Sequence, residues 1–213
     1  KEKNKNKVIM KKIGISLRVG IIGNHNEKRD QINQEWISFL QELEYIPILI
    51  PNNLNNLQKY VQDLHLDGII LSGGDNIGDF PDRDETERGI LKTSIDNSIP
   101  ILGICRGMQM INNYFGGSVE EKQDRKHVNN DHKVGLTNDF LFSKEKTIIV
   151  NSFHNNIIKT EILGKNLIPF AEYEDDNTIE GFTHSLYPIK GVMWHPERKQ
   201  DVNSRNLLKE TFG

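Results

Sequence analysis

The chain has 213 residues, 36% of them hydrophobic and 27% charged, with a formal net charge of −3 and a single cysteine. That length falls within the range of one domain; one cysteine excludes an internal disulfide framework, and without a Cys-x-x-Cys pair a thiolate zinc site is excluded as well. The charge is uneven: residues 1–12 hold six lysines and one glutamate, +5, which leaves −8 for the remainder and argues against a nucleic-acid-binding body. Apolar runs such as Ile99 to Cys105 are too short to span a bilayer, and no signal-peptide core follows the first lysines, so no membrane partner is expected and cytoplasm is the expected location. Residues 1–11 read as a disordered basic tail, with Met10 as an alternative start, and residues 12–213 as one domain.

Along the chain, Ile13 to Val19 reads as a first strand, and Asp30 as the cap of a helix with Ile32, Trp36, Phe39, Leu40 and Leu43 at helical spacing. Ile46 to Ile50 is the next strand. Leu54, Leu57, Val61 and Leu64 mark a second helix, and Gly68 to Leu71 a strand that ends in Ser72-Gly73-Gly74. A helix from about Asp84 to Asn97 precedes the strand that carries Cys105. Strand and helix in this alternation imply parallel pairing with helices on both faces. After Gly117 the rhythm changes to short strands with turns such as Asp175-Asp176-Asn177, which suggests antiparallel additions, and Asn203 to Phe212 closes with a helix. The expected fold class is α/β, an open, mostly parallel sheet flanked by helices with antiparallel strands in the second half.

Cys105 stands where an apolar strand runs into a glycine turn and then a helix, in Gly103-Ile104-Cys105-Arg106-Gly107. An attacking side chain must stand clear of the sheet, on a turn so tight that only glycine tolerates the crowding on either side. The start of a helix also supplies unpaired N–H groups and a positive dipole end, which favour thiolate over thiol. A small buried hydrophobe at the end of a core strand is the competing reading. Farther on, Gly191 to Trp194 reads as a buried strand that delivers His195 and Glu197. Pro196 biases His195 toward extended backbone, in which residues two apart share a face. Glu197 can therefore hold the imidazole in one tautomer while its other nitrogen faces the sulfur; a loop histidine and glutamate in solvent is the alternative. Gly73-Gly74 follows a strand directly, so its bare backbone can offer N–H groups to a developing oxyanion, with the N–H of Arg106 as second donor. The alternative is a plain turn. All three motifs fall at carboxyl ends of strands, where open parallel sheets bind ligands.

Taken in order, six stretches resemble the class I glutamine amidotransferases, and within that group the stand-alone gamma-glutamyl hydrolases, over residues 13–212. They are Leu71-Ser72-Gly73-Gly74-Asp75, Gly103 to Gln109, Phe115-Gly116-Gly117-Ser118, Val150-Asn151-Ser152-Phe153-His154, Ile179-Glu180-Gly181 and Trp194-His195-Pro196-Glu197. The resemblance implies a flavodoxin-like three-layer fold and a triad of Cys105, His195 and Glu197 that cleaves a gamma-glutamyl amide through a glutamyl thioester, with no cofactor. It also implies that Gln109, one helical turn after Cys105, and the segment Asn151, Ser152, Phe153 and His154 hold the glutamyl end. Against this stands a Gln109 that solvates its helix and a Ser152 and His154 that merely end a strand. His127, Asp131, His132 and His154 could be assembled into a metal site, but residues 121–131 read as a loop, so their spacing has no helix to give it meaning, and no metal is expected.

The domain takes up essentially the whole chain, which favours free hydrolysis of a small-molecule gamma-glutamyl substrate. A glutaminase subunit serving a separate synthase stays open, as does a homo-oligomer. Gamma-glutamyl hydrolases usually carry a longer proline- and tyrosine-bearing stretch after Gly-Gly-Asp, here compressed into Asn76 to Pro81. The short insert and the basic loop with Arg125, Lys126 and His127 resemble hydrolases of capsule phosphoramidate synthesis, which implies a nucleotide diphosphoramidate leaving group. A gamma-glutamyl-aminobutyrate or polyamine-type amide is the alternative.

Overall fold

The computed structural model describes residues 10–121, 128–137 and 142–213. In chain order the elements are β1 (Lys12–Ser16), β2 (Arg18–Ile22), β3 (Glu27–Gln31), α1 (Gln34–Glu42), β4 (Ile46–Ile50), α2 (Leu57–Leu64), β5 (Gly68–Leu71), α3 (Pro81–Asn97), β6 (Ile101–Ile104) and α4 (Arg106–Tyr114). The second half adds β7 (Glu120–Glu121), β8 (His132–Leu136), β9 (Thr147–Val150), β10 (Asn156–Ile157), β11 (Leu167–Tyr173), β12 (Thr178–His184), β13 (Ile189–Val192), α5 (Pro196–Lys199) and α6 (Val202–Phe212). A nine-stranded sheet runs in the order β4-β1-β5-β6-β13-β12-β11-β8-β9. Neighbours from β4 to β13 pair parallel, and from β13 to β9 antiparallel, as the change of rhythm after Gly117 implies. β5 and β6 are buried on both faces, which is why Gly-Ile-Ile-Leu and Ile-Leu-Gly-Ile show no polar alternation. The fold is the expected α/β class. No helix among the described residues is long and apolar enough to cross a membrane.

Two details of the first half differ from the sequence pattern. β1 stops at Ser16, and the chain continues into a separate antiparallel hairpin of β2 and β3. Every residue of β3, Glu-Lys-Arg-Asp-Gln, is exposed, so no apolar alternation marks it as a strand. Asp30 therefore lies within β3 and does not cap α1; its carboxylate accepts from the backbone N–H of Asn52 at 2.8 Å and from the Asn52 side-chain amide at 2.6 Å. The cap is Asn33, whose Oδ1 accepts from Glu35 N at 3.1 Å. α3 begins at Pro81, whose missing N–H costs nothing in a first turn.

α3 carries charge into the core. Arg83 and Glu87 are both fully buried one helical turn apart, with Arg83 Nε donating to Glu87 Oε1 at 3.1 Å. Arg83 also donates to the Ser72 carbonyl at 2.8 Å and to the Gly73 carbonyl at 3.0 Å, the loop that follows β5. Across the helix, the buried Arg106 of α4 is paired with Glu87 and Asp84, while Ser16 Oγ donates to Glu87 Oε1 at 2.8 Å. One carboxylate thus joins β1, α3, the β5 loop and α4. Removing one partner of a buried ion pair typically costs about 3–5 kcal/mol because it leaves an uncompensated charge. Glu87→Gln should lower the unfolding free energy by about that amount in urea titration. The same experiment on Lys59→Ala, which breaks the exposed 2.7 Å pair with Asp63, should leave the midpoint where it was.

Candidate active site

β5, β6 and β13 lie side by side, and their carboxyl ends deliver Gly73-Gly74, Cys105 and His195 to one place. The turn at Cys105 is strained, with φ 50° and ψ −106° for a residue that is not glycine. Its backbone N–H donates to the Val192 carbonyl of β13 at 2.8 Å, and its carbonyl accepts from Gln109 N at 3.0 Å. Glycine is required at the next position of the turn: a β-carbon on Gly107 would sit 2.1 Å from the Leu71 carbonyl oxygen. A β-carbon on Gly73 would sit 2.8 Å from His195 Cε1 and 3.7 Å from Cys105 Cβ, so that glycine lets the imidazole and the sulfur share the space beneath it. Gly74, with φ 127°, adopts backbone that only glycine takes readily.

His195 precedes α5 with extended backbone, and Glu197 lies in the first turn of that short helix. A helix start after Pro196, with no continuing strand, thus brings the two side chains together: His195 Nδ1 is 2.8 Å from Glu197 Oε1. Nδ1 being engaged, Nε2 is the ring nitrogen left open to the neighbouring Cys105 side chain. Burial alone would lower the basicity of His195, yet the contacts with Cys105 and Glu197 override it and carry the imidazole up to about 9. Burial would raise the Cys105 thiol; hydrogen bonding and charge from His195, the charge of His154 and the Arg106 N–H together bring it below its usual value. The backbone of His195 is held in place by Asn151, whose Nδ2 donates to His195 O at 2.9 Å and whose Oδ1 accepts from His195 N at 2.8 Å.

A second histidine–carboxylate group flanks the sulfur. Glu180 of β12 is buried between His154 Nε2 at 3.6 Å and His132 Nε2 at 3.5 Å. Burial would raise its carboxyl, but the two imidazoles bring it down to about 2. Burial likewise opposes charge on His154, and Glu180 with Cys105 pushes its basicity up nonetheless. His154 Nδ1 meets the Asn156 carbonyl at 2.9 Å, and His132 stacks on Tyr173 with ring centroids 4.3 Å apart. His132 and His154, which the sequence allowed as metal ligands, thus face a carboxylate at ion-pair distance. Among the described residues no group of three or more His, Cys, Asp or Glu side chains could hold a metal ion. Asp131 instead lies 3.7 Å from Lys199, and His127, like Arg125 and Lys126, lies outside the described residues.

Cys105, Gln109, Phe153 and His154 line a common cleft of about 170 Å³ with Gly74, Asn76, Asn155 and Asn156. Gln109 Oε1 accepts from Asn156 Nδ2 at 3.2 Å. Phe153 is partly exposed at the mouth, its ring 5.8 Å from that of His195 and edge-on to it. Asn151 and the fully buried Ser152 do not line the cleft. Sequence reasoning missed Arg83, Glu87, Asn76 and Asn156. The one signal for the first two was an arginine and a glutamate four apart in a helix with no clear apolar stripe.

A strained cysteine turn at the centre of a mostly parallel sheet, answered by a histidine and a carboxylate from the next strand, defines a class. The family pattern described as Glutamine amidotransferase class-I matches residues 26–213, and the chain belongs to that family. It is 34% identical over 209 residues to gamma-glutamyl-CDP-amidate hydrolase of Campylobacter jejuni subsp. jejuni serotype O:2, across 94% of this chain and 96% of that protein. It is 29% identical over 173 residues to a glutamine-hydrolyzing GMP synthase subunit of Methanococcus aeolicus, across 79% of this chain and 86% of that protein. A glutamine amidotransferase of Thermotoga maritima superposes with a TM-score of 0.71 at 16% identity, across 96% of this chain and 99% of that one. That likeness bears on the fold alone.

The coupled titration gives a direct test. With the thiol lowered and the imidazole raised to about 9, the pair is shifted toward thiolate and imidazolium. Alkylation of Cys105 by iodoacetamide should level off at a pH below the ordinary thiol value of ~8.5. In His195→Gln burial acts with less opposition, so the profile should move alkaline and the rate at pH 7 should fall by roughly tenfold or more, the size of one pKa unit. An unchanged profile in that variant would remove His195 as the source of the shift.

Proposed function

We propose that this protein is a cysteine hydrolase that splits gamma-glutamyl amides, with Cys105 as nucleophile, His195 as proton carrier and Glu197 as the carboxylate that orients it. The observation that carries this reading is the approach of Cys105 and His195 beneath Gly73, at the ends of adjacent strands, with Glu197 bonded to the imidazole at 2.8 Å. The thiolate attacks the gamma-carbonyl carbon, forming the S–C bond and a tetrahedral oxyanion. Collapse breaks the C–N bond while the His195 imidazolium gives its proton to the departing nitrogen. Water then adds to the glutamyl thioester with His195 taking its proton, and the C–S bond breaks to release glutamate and regenerate the thiolate.

The N–H of Arg106, the residue after the cysteine and one of the groups that favour its thiolate, is one oxyanion donor. For the other, the anchored Gly73 carbonyl is informative: in a trans peptide the C=O and the following N–H point opposite ways. Arg83 holds that carbonyl at 3.0 Å on its own side, which leaves the Gly74 N–H directed away, toward the cleft that Gly74 shares with Cys105. The glutamyl end sits against Gln109, Phe153 and His154, with the imidazolium of His154 answering its alpha-carboxylate; Asn151 and Ser152 support the segment from behind.

For the leaving group, similarity over nearly the full length to gamma-glutamyl-CDP-amidate hydrolase favours cleavage of gamma-glutamyl-CDP-amidate to glutamate and cytidine diphosphoramidate, a cytoplasmic step toward capsule phosphoramidate. A second reading, a glutaminase that passes ammonia to a separate synthase chain, is favoured by the similarity to a glutamine-hydrolyzing GMP synthase component. Glutamate release should be measured from gamma-glutamyl-CDP-amidate, gamma-glutamyl-aminobutyrate and glutamine. Turnover of the first, loss of that turnover by about 10⁴-fold or more in Cys105→Ala, and a glutamyl adduct on Cys105 by mass spectrometry are the expected results. Retained hydrolysis in the alanine variant overturns the mechanism, and turnover of glutamine alone moves the reading to the glutaminase.

A further inference from the structure

A gamma-glutamyl amide has two sides, and the site has two recesses, one lined by Cys105 and one by His195. The cleft that holds Cys105, Gln109 and His154 meets, at Gly74, a second recess of about 70 Å³ lined by Gly73, His195, Trp36, Arg18 and Arg198 among others. The proton for the departing nitrogen comes from His195, so that nitrogen and what it carries must lie on the imidazole's side of the sulfur. Both arginines are within reach of solvent there, with side chains 45% and 38% exposed. Arg18 enters from the start of β2 and Arg198 from α5.

The carboxylates that face these guanidiniums are already committed. Asp75 accepts from Arg18 at 2.9 Å but is shared with the buried Arg83 at 3.6 Å. Glu197 is bound to His195 at 2.8 Å, and Arg198 Nε approaches it only to 3.9 Å. Arg18 is thus ion-paired with Asp75 at the edge of the recess, while Arg198 only approaches Glu197. Arg198 is further fixed by Phe153, with its guanidinium carbon 4.3 Å from the ring centroid, and the same ring meets His195 edge-on. A planar fork held beside the proton donor, opposite a second one, is the geometry in which arginines take phosphoryl oxygens bidentately. The recess is far smaller than the ~300–1,000 Å³ of a site that encloses a whole ligand, so it takes only the group next to the scissile nitrogen.

We infer that Arg18 and Arg198 form an anion subsite for a phosphoryl group attached to the departing nitrogen, and so select phosphoramidate-type leaving groups. This rests on the hydrolase reading for its place in the reaction, and a test by binding separates the two. Inorganic pyrophosphate should bind the protein in calorimetry, with affinity that falls at rising salt. Arg18→Gln and Arg198→Gln should each weaken it by about 10-fold or more, as loss of a charged hydrogen-bond partner does, and Arg→Lys at either position should restore part of the loss. The ratio of kcat/KM on gamma-glutamyl-CDP-amidate to that on glutamine should fall by a similar factor in each glutamine variant.

If pyrophosphate affinity is the same in the double variant, melting as wild type does, or if the two substrates lose activity equally, the subsite is wrong while the hydrolase stands. If pyrophosphate binding is lost as expected but the wild-type protein releases no glutamate from gamma-glutamyl-CDP-amidate, the subsite stands and the leaving group assigned above is wrong.

Discussion

A single buried carboxylate, Glu87, answers two guanidiniums beneath the cysteine turn, and the geometry of the site follows from that arrangement. Arg83, held by Glu87, fixes the carbonyls of Ser72 and Gly73. Arg106, held by Glu87 and Asp84, fixes the first turn of the helix whose N–H meets the sulfur. Both peptides proposed to stabilise an oxyanion are thus tied to one charged group on α3. Buried ion networks add little net stability compared with apolar packing, since desolvation offsets most of the attraction. Their use here is orientation: a strained, glycine-rich turn has no side chains of its own with which to fix its peptide planes, and an arginine fork supplies directional donors where packing cannot.

Two histidine–carboxylate groups approach the same sulfur, and their orientations separate their work. In the first, Glu197 takes Nδ1 of His195 and leaves Nε2 for Cys105, the relation that a proton carrier needs. In the second, Glu180 lies between His154 and His132 and acts on Cys105 through the charge of His154, without an intervening hydrogen bond. In the proposed mechanism the first group exchanges a proton with the sulfur and the second favours its charged form. The second also favours charge on His154 in the cleft that Gln109 and Phe153 line, where the proposed carboxylate-bearing substrate would be taken from water.

The parts of this site that were legible in the sequence are those with a backbone reason to exist. Gly73-Gly74, Gly103 to Gly107 and His195-Pro196-Glu197 stand at strand ends, and apolar runs with glycine or proline beside them mark such places in the primary structure. What stayed hidden was set by tertiary charge pairing. Arg83, Asp84 and Glu87 carried no signal beyond the helix itself, because no local pattern distinguishes a charge that meets water from one that meets Arg106. Asp30 looked like a helix cap, but its partner Asn52 is 22 residues away. The hairpin of β2 and β3 escaped notice for the same reason in reverse: strand pairing alone holds an exposed charged segment that has no buried face to give it a period.

That hairpin changes what the fold can recognise. The cysteine, its helix and the imidazole come from the central strands β6 and β13 and the elements that follow them directly, positions that the parallel core fixes. Arg18 comes from the first residue of β2, outside the nine-stranded sheet, and Arg198 from a helix of one turn. On the proposed reading, groups on the departing side of the scissile bond are met by peripheral elements, and those on the glutamyl side by Gln109 of α4 and the strand-end segment of His154. The sulfur and the peptide planes around it belong to the core, and α5 carries Glu197 as well as Arg198, so of the two peripheral elements only β2 can change without touching the partner of His195. Within one family fold, a change at Arg18 would then alter the surroundings of the leaving nitrogen while Cys105, His195 and Glu197 stay where they are.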